Sequence, residues 1–193
     1  MIEYIKGDVD TLAPAQVIVE CGGIGYEICI SLTTFTAIQG QSPVKLLIHE
    51  VIREDAHLLF GFQTEQERTL FRLLIGVSGV GANTARMILS SLTPADLETV
   101  IASGDSKRLK SVKGIGAKTA ERIIVDLRDK IKPAGDTLLN ISTPASETYD
   151  EALSALVMLG FPKPQSQKVL DKIFKDNPVA SVEVAIKKAL SML

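Results

Sequence analysis

Val77-Ser78-Gly79-Val80-Gly81-Ala82-Asn83-Thr84-Ala85 returns thirty-five residues later as Val112-Lys113-Gly114-Ile115-Gly116-Ala117-Lys118-Thr119-Ala120. Ile88 and Leu92 are answered in the same register by Ile123 and Leu127. Each copy runs apolar, Gly, apolar, Gly and then repeats its apolar positions at helical spacing, so each is a glycine turn that opens a helix. The helices are expected from about Ala82 to Ser90 and from about Ala117 to Ile131. A turn of this kind leaves backbone N–H groups without partners, and the helix dipole adds partial positive charge at the same point. The device is an anion site, and phosphate suits it.

Nucleotide phosphate is the first candidate and fails. Gly76 and Gly81 have the gap of a P-loop, but Ala82 and Asn83 stand where the lysine and the magnesium-binding hydroxyl belong, and the second copy begins with Ser111. A dinucleotide fold fails as well, because neither turn follows a strand in a βαβ unit. A helix–turn–helix pair with glycines on either side of an apolar residue is the helix-hairpin-helix pattern. In that pattern the glycines let the backbone approach a phosphate, and the apolar residue plugs the turn into the helix pair. The expected backbone donors are Gly79, Gly81, Gly114 and Gly116, with Lys118 and Arg122 within reach of the same strand. Such contacts read nucleic-acid backbone and not base sequence.

Outward from the repeat, Thr64-Glu65-Gln66-Glu67 is a capping box that opens a helix with Leu70, Phe71 and Leu74 as its apolar stripe. Thr93-Pro94 starts a helix that ends at Gly104, and Asp105 or Ser106 starts a short one before the second turn. Residues 64–133 thus form an all-α domain with two helix-hairpin-helix motifs. Before it, residues 1–63 read as five short strands: Ile2–Lys6, Val17–Glu20, Tyr26–Ser31, Val44–His49 and His57–Phe60. Five strands suit a small barrel, either of the oligonucleotide/oligosaccharide-binding (OB) type or SH3-like. Arg53-Glu54-Asp55-Ala56 is the exposed tip of its last hairpin. Residues 134–146 have linker composition, and 147–193 read as a small module of three helices over Glu147–Leu159, Pro164–Lys175 and Ser181–Leu193. The fold class is therefore multidomain α+β.

The formal net charge of −2 conceals a segregation. Residues 1–63 carry three basic against eight acidic side chains, residues 64–133 twelve against eight, and residues 134–193 six against seven. Within 105–132 nine basic residues face four acidic ones, which favours a polyanion partner for the repeats. No apolar run is long enough for a membrane span and no secretory signal opens the chain, so it reads as cytoplasmic. Cys21 and Cys29 read as free buried thiols, and His49 and His57 as ordinary strand residues. Ser78, Ser90 and Ser91 have no partnered base in view, and Glu54 and Asp55 diverge at a turn. No catalytic residue, metal or cofactor is expected. The leading reading is a non-catalytic DNA-binding scaffold. A helix-hairpin-helix repair enzyme and a protein adaptor working through its C-terminal module are the alternatives.

The order of parts resembles the RuvA family, the Holliday-junction-binding subunits of bacterial branch-migration complexes. The resemblance rests on the doubled turns and on Arg53-Glu54-Asp55-Ala56-His57-Leu58-Leu59-Phe60-Gly61-Phe62, Gln66-Glu67-Arg68-Thr69-Leu70-Phe71 and Gly114-Ile115-Gly116-Ala117-Lys118-Thr119-Ala120-Glu121-Arg122. It implies an N-terminal OB-type barrel, a tandem helix-hairpin-helix domain and a C-terminal three-helix domain similar to ubiquitin-associated modules. It also implies a homotetramer that holds a four-way DNA junction open, with Glu54 and Asp55 as an acidic pin at the junction centre. The implied protein partners are the hexameric ATPase RuvB, contacted through the C-terminal domain, and the junction resolvase RuvC. Family members often carry two basic residues after the second Gly-Ile-Gly, whereas this chain has Ala117 and then Lys118. One charge fewer implies a shallower salt dependence of DNA binding.

Overall fold

The computed structural model describes residues 1–131, 144–177 and 180–193. The chain forms two compact units, Met1–Asp136 and Thr137–Leu193.

The first unit begins with β1 (Tyr4–Ala13), β2 (Gln16–Cys21), β3 (Ile24–Ile30), β4 (Val44–Ile52) and β5 (His57–Phe62). They close in the order β1-β2-β3-β5-β4 and back to β1, with β3 parallel to β5 and every other pairing antiparallel. This closed five-stranded order makes the barrel OB-type. Alternate residues fill its interior, Val17, Val19, Ile28, Ile30, Leu46 and Ile48 all being fully buried. β1 runs through Asp8–Asp10, where the sequence suggests a break. Its alternation puts both carboxylates on the outside, and the register slips between Val9 and Thr11 as a bulge. Cys21 is exposed and Cys29 half-buried, so only the latter approaches the expected burial, and both are free.

Between β3 and β4 lies α1 (Leu32–Ile38), which the sequence does not announce. Ser31 caps it by accepting from the Thr34 amide, and its first turn is tied to a distant helix: Leu32 N donates to Ser90 Oγ (3.0 Å) and Thr33 Oγ1 to Leu89 O (2.7 Å). α2 (Glu65–Ile75) is capped by Thr64 as expected, but Glu67 does not complete the capping box with the Thr64 amide. Its carboxylate is buried and accepts from Ser31 Oγ (2.5 Å) and Thr34 Oγ1 (2.8 Å), joining α2 to α1. Arg68 is also buried. It donates to the carbonyls of Glu3 and Ile48 and pairs with Glu3 and Glu65. Phe71 stacks among Phe60, Phe62 and His49, with ring centroids 5.1, 4.9 and 5.4 Å away. The barrel and the helices therefore share a core.

Four more helices complete the unit: α3 (Ala82–Ser91), α4 (Pro94–Ser103), α5 (Ser106–Lys110) and α6 (Ala117–Leu127). Thr93 and Asp105 cap α4 and α5, and Gly104, at φ 73°, ends α4 in the left-handed conformation. α6 stops at Leu127, short of Ile131, although the Lys130 and Ile131 amides still bond to the Leu127 carbonyl. Ile123 and Ile124 lie in the same core as Leu89 and Leu97.

The second unit holds α7 (Pro144–Met158), α8 (Lys163–Asp176) and α9 (Val182–Leu190). Their core is thin and built on Ala152, Leu156, Leu170, Ile173, Ala185 and Ala189. The Tyr149 hydroxyl donates to Asp171 Oδ1 (2.7 Å), and burial, then that carboxylate, push it up to about 12. The joint expected over 134–146 lies outside the described residues as far as 143, and α7 already begins at Pro144.

Candidate nucleic-acid interface

The repeat becomes two helix pairs of one design, α2 with α3 and α5 with α6. In each turn the first glycine is left-handed, Gly79 at φ 89° and Gly114 at φ 88°, so an L side chain there is strained. The next residue plugs the turn: Val80 is 5% exposed and Ile115 7%. Its amide closes a tight turn, Val80 N to Val77 O at 3.0 Å and Ile115 N to Val112 O at 3.1 Å. The second glycine is the N-cap of the following helix, and its carbonyl takes the first helical bond, from Ala85 to Gly81 (2.9 Å) and from Ala120 to Gly116 (3.0 Å).

Gly81 and Gly116 differ from Gly79 and Gly114 in backbone conformation. Both have extended backbone, φ −86° and −78°, and a Cβ on either would meet nothing within 4 Å. The fold does not demand glycine at these positions, and an ordinary helix N-cap favours Ser, Thr, Asp or Asn. With glycine there, no side chain caps α3 or α6, and the turns stay exposed at Gly79, Gly81, Gly114 and Gly116. First-turn amides, helix dipole and the missing Cβ together leave two uncluttered turns that would suit an anion.

The structure brings Lys118 and Arg122 onto the first two turns of α6. Lys118 is exposed and has no ion-pair partner among the described residues, while Arg122 Nε stands 3.8 Å from Asp126 Oδ2 in a solvent-exposed pair. Two other cations of this region are engaged. Arg86 donates to the Ala15 carbonyl on the barrel (2.9 Å), and Arg108 pairs with Asp96 (3.1 Å). The Ser90 and Ser91 hydroxyls donate to the carbonyls one turn back, Arg86 O and Met87 O, so both are occupied with backbone.

Glu54 and Asp55 sit at the exposed β4–β5 tip, closed by Arg53 N to Ala56 O at 2.8 Å. What secures the hairpin's root is not evident from the sequence. Glu50 on β4 accepts from the Ile2 amide (2.9 Å) and faces His57 Nε2 on β5 (3.2 Å). The backbone bond and His57 together hold the Glu50 carboxyl below the usual carboxylate range. Glu50 lies seven residues before His57, on opposite sides of the turn. That spacing was a signal that a hairpin reading could have used. Among the described residues no group of three or more His, Cys, Asp or Glu side chains could hold a metal ion, and no helix is long and apolar enough to cross a membrane.

Comparison with known proteins covers every part of this arrangement. The RuvA N-terminal domain model matches residues 1–61, the SAM-like helix-hairpin-helix tandem model residues 71–129, and the RuvA C-terminal domain model residues 147–193. The Holliday junction branch migration complex subunit RuvA of Parabacteroides distasonis is 55% identical over 196 residues, and that of Bacteroides fragilis 52% identical over 201. The subunit of the same name from Porphyromonas gingivalis is 46% identical over 202 residues. In all three cases the match spans the whole of both chains. With the barrel, the paired glycine turns and the C-terminal helices each matched in order, the chain belongs to the RuvA family.

Proposed function

We propose that the protein binds four-way DNA junctions and serves as the junction-binding subunit of a branch-migration complex. Family membership supports this reading, and the single structural observation that carries it is the pair of exposed glycine turns, alike in backbone and free of capping side chains. Gly79 and Gly81 form one grip on the phosphodiester backbone, Gly114 and Gly116 the other, with Lys118 and Arg122 adding charge to the second. Because these contacts reach phosphate, the hold is independent of base sequence. Junction preference comes from elsewhere: Glu54 and Asp55 act as an acidic pin that repels phosphates at the crossover, in a homotetramer that presents four such pins.

The subunit does no chemistry of its own in this reading. Motion of the DNA is powered by the ATPase RuvB, engaged through residues 147–193, and the resolvase RuvC acts on the same junction. The protein works in the cytoplasm without a cofactor. Gel-shift titration with a four-way junction and with linear duplex of the same sequences tests the proposal. Marked preference for the junction is expected, and equal affinity overturns it. Removal of residues 147–193 should leave junction binding intact and abolish stimulation of RuvB.

A further inference from the structure

The two hairpins are alike in backbone and unlike in charge. Position for position, Lys113, Lys118 and Arg122 of the second copy stand where the first has Ser78, Asn83 and Met87. Met87 is half-buried against the core, and Asn83 is exposed but neutral. In the second copy Arg122 shares its charge with Asp126, whereas Lys113 and Lys118 are exposed and have no ion-pair partner among the described residues.

Lys113 has no evident role in folding. Lys110 lies in the last turn of α5, where a cation complements the helix carbonyls, but Lys113 lies beyond the Ser111 cap, in the turn itself. It directly precedes Gly114, and Lys118 follows Gly116 by two residues, so the two charges bracket the exposed glycines. Lys113 supplies on one side of the turn the charge that Ala117 omits on the other.

We propose that Lys113 is a further phosphate-contacting residue, which makes the second hairpin the electrostatic clamp while the first holds DNA through uncharged donors. The inference rests on the DNA-binding reading above. Its consequence is thermodynamic. Each phosphate neutralised on duplex releases counterions and adds about 0.9 to the slope of log affinity against log salt. The first turn, with Ser78 and Asn83 at the matching positions, adds nothing to that slope through side chains.

The test is a salt series of junction affinities with the full-length chain and a synthetic four-way junction. Lys113→Met should still bind at low salt but flatten the slope by about 0.9 for each subunit in contact, close to a threefold smaller loss per contact between 50 and 200 mM. Lys113→Arg should restore the slope, and Ser78→Ala, at the matching place in the first turn, should leave it unchanged. A Lys113→Met slope equal to that of the natural chain overturns the proposal, and so does flattening by Ser78→Ala, which would make the change independent of charge. Failure of the natural chain to bind the junction overturns the functional reading itself, and is seen before any variant is compared.

Discussion

At the scale of single residues, the four turn glycines divide into two kinds. Gly79 and Gly114 have left-handed backbone, so a side chain there strains the chain whether or not DNA is bound. Gly79→Ala should lower stability by about 1–2 kcal/mol, read as a fall in the thermal midpoint of the first unit. Gly81 and Gly116 have ordinary backbone and empty surroundings. A serine at either makes a better N-cap than glycine by a few tenths of a kcal/mol, so the folded state tolerates it. What it places in the way is a Cβ and a hydroxyl where a phosphate would approach. The repeat makes all four glycines legible in the sequence but does not separate the two kinds, because φ is a property of the folded turn.

At the scale of elements, His49 carries a pH dependence. Burial, and then the charges of Arg72 and Arg68, hold its imidazole below the ordinary value of 6.5. The folded chain therefore takes up this proton at lower pH than the unfolded chain. Its contribution is present above about 6.5 and is lost as pH falls below it. The thermal midpoint should drop between pH 7.5 and 5.5 by more in the natural chain than in His49→Gln, and equal drops would remove His49 as the cause. A second expectation concerns Glu67, whose buried carboxylate is shared by the hydroxyls of Ser31 and Thr34. Glu67→Ala leaves both hydroxyls without their acceptor and should cost about 2–3 kcal/mol in urea unfolding.

Glu67 also marks where local pattern stops determining structure. Thr64 as a cap was legible because capping is local, whereas the true partners of Glu67 lie on a helix that was not anticipated. α1 is short and rich in threonine, a weak helix former, and it persists because Ser31 caps it and Ser90 and Leu89 on α3 hold its first turn. Contacts across more than fifty residues leave no local pattern. The strands were found by alternation, but β1 was cut short because Asp8 and Asp10 resemble a turn until their outward register is known. Likewise, His57 reads as a strand residue while Glu50 falls just past the expected strand Val44–His49, and only the hairpin register brings them together.

At the scale of the whole molecule, the barrel is acidic and the helix-hairpin-helix region basic, so the two parts of the first unit carry charge of opposite sign. In the proposed reading the basic part would attract the duplex arms and the acidic tip would limit how closely strands meet. Glu54→Gln with Asp55→Asn should therefore tighten junction binding and alter the rate of RuvB-driven branch migration. Unchanged affinity and rate would reduce the pair to a plain turn. The central claim, however, is that backbone amides at two glycine turns provide the grip. The most direct test is the junction affinity of the Gly81→Ser, Gly116→Ser double variant at fixed salt, measured beside its thermal midpoint. A loss of at least about a hundredfold, close to 2.7 kcal/mol, with the midpoint unchanged or slightly raised is predicted; an affinity equal to that of the natural chain would contradict the account.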